Sequence, residues 1–546
     1  MHKFKYLSIK PGLFFKEYTN FIKMRMMNEM QPGIVEWYDG RSILVTGATG
    51  FMGKVLLEKL LRACPGVKKI YTIGRAKRGF SPTARMNEMF KLPLFDKLRK
   101  ENPMAFKKIV AFEGDLTLPN LGLKSEDKKV LVENVSVVFN GAASLRLEAG
   151  LKDAINSNTL GTQKILELCR EMKQLKAFVH LSTAFCHCEY EVLEEQVYPS
   201  PANPEDVIRA VQWMDEQCLD VIQSKVLGPH PNSYTYSKRL AESLVEQYNK
   251  YFPVAIARPS IVLPALHEPI PGWVDSLNGP VGVVVAAGKG VIRSMLCGEN
   301  NYAEVVPVDI AINALIAIAW RRGVTKHDVD DQVPCYNISC NDIERVTWGE
   351  VLKKGKQFAY EYPFDAGLWY PNGTIRTNRL THFIVVFFLQ IIPAYLIDFL
   401  MLITRNKRFM VRVQNRISVG MEVLQYFTMR SWDFKNKNVK QLTELMNERD
   451  KKLFEITNAD YDIDTYFKDF LLGARQFCMK EPLSSLPRAR VNLKRMYYLN
   501  VITQIVLGLL GMWLLVRWLD TIRVMLDYSG QTMLRLPVLN MLVPKT

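Results

Sequence analysis

Tyr234 and Lys238 stand four residues apart in the run Ser233-Tyr234-Thr235-Tyr236-Ser237-Lys238. On a helix that spacing puts both side chains on one face. A phenol with an ordinary pKa near ~10 is a poor proton donor at neutral pH, and a neighbouring ammonium favours the phenolate and eases proton exchange. Tyr234 is therefore a candidate general acid toward an oxygen that gains charge as a hydride arrives. Roughly fifty residues earlier an apolar run ends in Ser182 and Thr183. Thr183, with Ser182 as its substitute, is placed to donate a hydrogen bond to the same oxygen. Tyr236 lies only two residues from Lys238, points elsewhere and is assigned to packing.

A Tyr-x-x-x-Lys pair is common by chance, and its weight comes from what precedes it. Thr46 to Gly53 reads T-G-A-T-G-F-M-G, after an apolar run at 42–45 and before a helical leucine pattern at 54–62. Strand, glycine turn and helix in that order make a dinucleotide site: Gly47 for the tight turn, Gly50 for approach of a pyrophosphate, Gly53 for close helix packing. Thr46, Thr49, Phe51 and Met52 complete this cradle. About twenty residues on, where an NAD site places an acid, the chain has Arg75, with Lys77 and Arg78 behind it. A cation there pairs with a 2′-phosphate, so NADP(H) is expected. Asp115 and Leu116 close the next strand and Ala142 follows the one after. Asp115 is expected to accept from the adenine amino group, with small residues flanking the middle of the cofactor. Lys238, Pro259 and Ile261 complete the expected cofactor contacts.

These segments need a scaffold that delivers their ends to one edge. Candidate strands at 42–45, 69–73, 108–113, 135–140, 177–181 and 253–257 alternate with helices at 54–62, 164–173 and 236–248. This rhythm predicts an α/β fold with a doubly wound, Rossmann-type parallel sheet. At 546 residues the chain is too long for one core. The expected division is a basic, aromatic N-terminal arm at 1–38, a nucleotide-binding domain at 39–345, a mainly helical domain at 346–485, and a membrane anchor with tail at 486–546.

The formal net charge of +16 favours an anionic partner. Nine cysteines without framework spacing, and no signal-peptide pattern, point to a reducing compartment. Cys186 and Cys188 flank His187, but no second pair stands at matching spacing, and no metal is expected. Met496 to Val516 carries no charged residue and is long enough to cross a bilayer. Arg488, Arg490, Lys494 and Arg495 precede it, which places the body of the protein on the cytosolic side of a single-pass C-terminal transmembrane helix.

The glycine turn, Gly114-Asp115-Leu116, Ser182-Thr183-Ala184, Tyr234 to Lys238 and Arg258-Pro259-Ser260-Ile261-Val262 together resemble the extended short-chain dehydrogenases/reductases. More narrowly, L-L-E-K-L-L-R-A-C-P-G-V-K-K-I-Y, the run Pro271 to Pro280 and Leu368-Trp369-Tyr370-Pro371-Asn372 resemble the alcohol-forming fatty acyl-CoA reductases of insect type, over nearly the whole chain. The resemblance implies reduction of a long-chain fatty acyl-CoA by NADPH to a primary alcohol, through an aldehyde and with release of coenzyme A. It maps the family's tyrosine and lysine onto Tyr234 and Lys238, its hydroxyl residue onto Thr183, and its glycines onto Gly47, Gly50 and Gly53. It also implies a "sterile" C-terminal domain concerned with the acyl chain. The apolar second domain and the anchor argue for lipid as partner, with no nucleic acid, and residence on an intracellular membrane, endoplasmic reticulum or peroxisome, is expected.

Two departures stand out: Asn140-Gly141-Ala142-Ala143 where the family usually has His-Cys-Ala-Ala, and Gly74 where it has a bulkier residue. The apolar stretch 380–403 contains Pro393 and Asp398 and is expected as a core helix or acyl-groove wall rather than a membrane span. Competing readings are an NADP-dependent dehydrogenase of a sterol or nucleotide sugar, and a non-catalytic cofactor-binding scaffold at a lipid surface.

Overall fold

The computed structural model describes residues 31–339, 345–457 and 462–534, with side chains as far as Met525. Most of the N-terminal arm, and the last residues of the tail, lie outside the described residues.

Seven strands form one parallel sheet: β1 (Ser42–Thr46), β2 (Lys69–Gly74), β3 (Ile109–Glu113), β4 (Val137–Asn140), β5 (Ala177–Leu181), β6 (Val254–Pro259) and β7 (Cys335–Ile338), in the order β7-β6-β5-β4-β1-β2-β3. β1, β4 and β6 are buried along their whole length because helices cover both faces, which is why apolar residues dominate them at successive positions. The first six strands fall within two residues of expectation. β7 is the addition: four residues after the charged loop His327-Asp328-Val329-Asp330-Asp331, too short to stand out.

β1 is the pivot. Thr46 pairs with Ile73 of β2 on one side and with Asn140 of β4 on the other. The chain winds outward through β2 and β3, then returns past β1 to start β4. The crevice at this reversal of strand order is where a doubly wound sheet binds its ligand.

In chain order the main helices are α1 (Phe51–Ala63), α2 (Gly161–Glu171), α3 (Ser233–Tyr248), α4 (Pro280–Gly288), α5 (Val308–Val324), α6 (Trp348–Glu361), α7 (Arg379–Val386), α8 (Ile392–Ile403), α9 (Met410–Thr428), α10 (Ile463–Gly473) and α11 (Leu486–Leu534). α1 and α5 cover one face of the sheet, and α5 is buried on nearly every side, so its sequence is alanine- and isoleucine-rich all round. α2 and α3 cover the other face. A π-helical turn, Ile155–Leu160, runs into α2 and packs on α3.

α4, α6 and α10 form a satellite core around Val285, Phe358 and Phe470. Thr347 and Glu350 start α6 with a reciprocal capping box. Two short strands, Ser294–Leu296 and Thr374–Arg376, pair in parallel beneath α7. The stretch 380–403 departs from expectation. It is neither a core helix nor a groove wall: a π turn, Phe387–Ile391, separates α7 from α8, and most of its large apolar side chains face outward. Gln390, Ala394 and Asp398 are its buried residues, so two of its polar side chains point inward and the hydrophobic pattern marks an outer face.

Candidate active site

The cradle is built from backbone. Gly47 has φ +74°, and a Cβ there would sit 2.7 Å from the Gly141 carbonyl oxygen. A Cβ on Gly53 would enter the same turn, 2.7 Å from Ala48 Cα. Gly50 caps α1 and faces open space, with only the Gly47 carbonyl within reach of a Cβ, at 3.2 Å. A side chain at the first two positions would close the turn, and one at the third would fill the space where a pyrophosphate meets the helix N–H groups, so these residues fit a dinucleotide. Thr46 Oγ1 donates to Asn140 Oδ1 at 2.9 Å and accepts from the Ala142 N–H at 3.1 Å, locking the ends of β1 and β4 together. Asn140 also donates toward Thr162 Oγ1 at 3.3 Å, so the departure at this position is absorbed into a polar knot.

Arg75 and Lys77 follow β2 at the rim, joined by Arg85, which the sequence reading missed and which donates to the Arg75 carbonyl at 2.7 Å. Arg78 turns away: its φ of 53° belongs to a tight reversal closed by Lys77 and Phe80, and it does not line the cavity. Asp115 Oδ1 accepts from the Thr117 N–H and hydroxyl at 2.9 and 2.8 Å, and its other oxygen lies 3.6 Å from Arg75 Nη1. Burial opposes ionisation of Asp115, but these bonds outweigh it and hold its pKa below the usual range.

Asn232 caps α3 by accepting from the Thr235 N–H at 2.9 Å, and the helix then presents Tyr234, Lys238 and Glu242 along one face. Lys238 Nζ donates to the Leu181 carbonyl at 2.7 Å, tying α3 to the end of β5. Burial lowers the Lys238 pKa to about 8. The expectation that this lysine draws the phenol's pKa down is reversed. Burial, reinforced by Cys186, raises Tyr234 above its ordinary value, while the ammonium is engaged by a carbonyl. Tyr236 is buried in the apolar cluster, as packing requires.

Thr183 Oγ1 accepts from the Phe185 N–H at 3.3 Å, capping the turn Ala184–His187 and leaving its own proton free. Phe185 meets Phe427 of α9 edge to face at 5.2 Å. Asn158, inside the π turn, donates to Ser237 Oγ at 2.9 Å and accepts from the Ser144 N–H at 2.8 Å. The only sequence signal for it is a polar run, Asn156 to Thr159, interrupting a helix.

Beneath Lys238, Glu242 accepts from Arg258 through two bonds, from His187 Nε2 at 2.8 Å and from the Cys186 thiol at 3.2 Å. Cys186, His187 and Glu242 converge as metal ligands do, and so do Cys188, Glu189 and His230. In each group an arginine, Arg258 or Arg239, already supplies the cation to the carboxylate.

Thr46, Gly47, Thr49, Gly50, Phe51, Met52, Gly53, Arg75, Lys77, Asp115, Leu116, Ala142, Thr183, Tyr234, Lys238, Pro259 and Ile261 all line one cavity of about 1340 Å³. It extends past Ser182 and Tyr234 between α4, α6 and α9, where Val284, Leu352, Ile375, Leu424 and Phe427 make its far wall apolar. The nucleotide cradle and an apolar tunnel thus meet at the phenol.

Comparison with known proteins agrees with this plan. A family model described as "Male sterility protein", for an NAD-binding domain, matches residues 45–315, and a second of the same description, the Sterile model, matches residues 389–481. Fatty acyl-CoA reductase 1 of Mus musculus is 38% identical over 463 residues, covering 85% of this chain and 89% of that protein. Fatty acyl-CoA reductase wat of Drosophila melanogaster is 35% identical over 479 residues, covering 88% and 92%. Among solved structures, the reductase domain of a nonribosomal peptide synthetase from Mycobacterium tuberculosis shares the fold, with a TM-score of 0.54 at 16% identity over 83% of this chain and 95% of that one. Relatives this similar over most of both chains settle the family: the chain belongs to the fatty acyl-CoA reductases.

Proposed function

We propose that the protein reduces a long-chain fatty acyl-CoA to the primary alcohol with NADPH, releasing coenzyme A, by way of an aldehyde. The observation that carries this reading is the single cavity in which a dinucleotide cradle, the Thr183–Tyr234–Lys238 set and an apolar tunnel follow one another. NADPH bound in the cradle would supply hydride to the carbonyl carbon. Gly47, Gly50 and Gly53 would hold its pyrophosphate, and Arg75 with Lys77 and Arg85 would hold its 2′-phosphate.

Tyr234, kept protonated by burial, gives its proton to the carbonyl oxygen as charge develops there. Thr183, whose oxygen is engaged by Phe185 N–H, donates its free proton to the same oxygen. Lys238 fixes the phenol's helix against β5 and supplies positive charge beside the site. As the carbon–sulfur bond of the resulting hemithioacetal breaks and the thiolate leaves, its hydroxyl proton returns to the Tyr234 phenolate, and the reprotonated phenol with Thr183 and Lys238 serves the second reduction of the aldehyde. An acyl intermediate on a cysteine of the protein is not required. Cys297, on the cavity wall, is pushed up to about 12 by burial and is not a thiolate at neutral pH. The uncharged segment 496–516 within α11 would anchor the protein to an intracellular membrane, with the catalytic body cytosolic.

The test is product analysis. Full-length protein in vesicles, given NADPH and palmitoyl-CoA, is expected to yield hexadecanol, one free thiol and two oxidised cofactors per alcohol. Turnover of a sterol or nucleotide sugar instead, or cofactor binding without turnover of any acyl-CoA, overturns the reading.

A further inference from the structure

The segment Arg379–Ile403 passes the length and hydropathy requirements of a membrane span, yet it is built to lie on a surface. One side is occupied by protein along its whole length: α7 packs on the strand pair 294–296/374–376, and α8 packs on α9. The polar groups on this inner side are used. Asp398 accepts from the N–H groups of Phe409, Met410 and Val411 at 3.0, 2.8 and 3.0 Å, and Gln390 accepts from the Arg293 N–H at 2.8 Å. A helix crossing a bilayer alone would be ringed by lipid, and this one cannot be.

The outer side is dominated by apolar side chains. Leu380, Phe383, Phe388, Leu396, Phe399 and Ile403 recur at helical spacing and are 56–67% exposed. Its borders are cationic, with Arg379 at the start and Arg405, Lys407, Arg408 and Arg412 just past the end, while the one nearby acid, Asp398, faces inward. Two copies meeting through this face would bring like charges together. An anionic headgroup layer instead matches the rim while acyl chains cover the centre.

The position of the segment agrees. Arg293, which donates its N–H to Gln390, also donates through Nη1 to the Tyr370 carbonyl at 3.0 Å. Neighbouring Trp369 donates to Asn500 Oδ1 of α11 at 2.8 Å. A relay of bonds through Arg293, Tyr370 and Trp369 therefore ties the segment to the root of the apolar α11. The strand pair under α7 is also a wall of the cavity, through Met295 and Ile375, so one β-layer separates this surface from the tunnel's acyl end.

We propose that α7, the π turn and α8 form an in-plane element sunk into an anionic phospholipid leaflet, beside α11, that seats the acyl end of the cavity on the membrane. The leaflet placement stands on this geometry alone. The delivery role rests on the acyl-CoA reading above.

The experiment reconstitutes the full chain in phosphatidylcholine–phosphatidylserine vesicles doped with a phospholipid bearing a diazirine on its acyl chain, and maps adducts by peptide mass spectrometry. Adducts on Phe383, Phe388 and Phe399, in addition to those in 496–516, are expected. Adducts confined to 496–516, or copies cross-linked through the α7–α8 face without lipid adducts, overturn the placement. For delivery, Phe388→Glu with Phe399→Glu is expected to raise KM severalfold for a long-chain acyl-CoA presented in vesicles, with a soluble short-chain acyl-CoA unchanged. An equal change for both, or none, overturns delivery. Lipid adducts on the segment in a protein that reduces no acyl-CoA would support the placement and refute the activity.

Discussion

Arg258 and Glu242 form a two-point ion pair sealed from solvent, Nε to Oε1 at 2.9 Å and Nη2 to Oε2 at 2.7 Å, directly below Lys238 on α3. Burial opposes the Glu242 charge, but Arg258 outweighs it and holds the carboxyl well below its usual pKa. A depressed carboxyl stabilises the fold above its unfolded pKa and loses that contribution only as pH falls through the lower folded value, so the pair persists through mild acid. Glu242→Gln strands a buried guanidinium against a neutral amide. The expected cost is about 3–5 kcal/mol, read as a lowered Tm of the detergent-solubilised protein.

Tyr234→Phe removes the proposed proton donor and keeps the ring. A fall in kcat of about 10²–10⁴ is expected for general-acid loss, with NADPH affinity by fluorescence titration unchanged. Full retention of turnover would reassign the donor.

The Lys238 pKa of about 8 makes a pH prediction. The ammonium is present below that value and is lost as pH rises through it, whereas Tyr234, raised by burial, stays protonated throughout. The profile of kcat/KM is expected to fall above pH of about 8, and Lys238→Arg, which stays charged, is expected to move that limb upward.

Arg75→Ala with Lys77→Ala tests the choice of cofactor. Arg75 is mostly exposed, so its contribution is discounted for solvent screening, and KM for NADPH is expected to rise about tenfold with KM for NADH unchanged. A parallel rise for both would mean that the pair serves the pyrophosphate or the fold.

Gly53→Ala forces a methyl group into the Gly47–Ala48 backbone. Overpacking of a tight turn costs roughly 1–3 kcal/mol, and here the strain falls on the cradle. Both Tm and NADPH-induced stabilisation are expected to drop.

The glycine turn, the strand ends and the tyrosine–lysine pair were legible because each is local: a few consecutive residues set turn, spacing and chemistry together. The Arg258–Glu242 pair was not, since it joins a strand to a helix sixteen residues away and neither side chain signals a partner in sequence. The Lys238 contact with the Leu181 carbonyl was hidden for the same reason. Residues 380–403 were misassigned because hydropathy measures greasiness and not direction. A lone acid in an apolar stretch suggests a core or groove, yet Asp398 faces inward to hold the start of α9 while the greasy side faces out. Arg85 escaped notice because a helix, not β2, brings it to the rim.

Phe427 has two allegiances: it lines the tunnel and braces Phe185, two positions past Thr183. On the proposed chemistry, selectivity and turnover would therefore be geared together at that ring. Shaving it to admit a bulkier tail would also slacken the support of the Thr183 turn, whereas Leu352 and Leu424 line the same wall outside the aromatic cluster around Phe185, so changes of chain preference would be free to accumulate there.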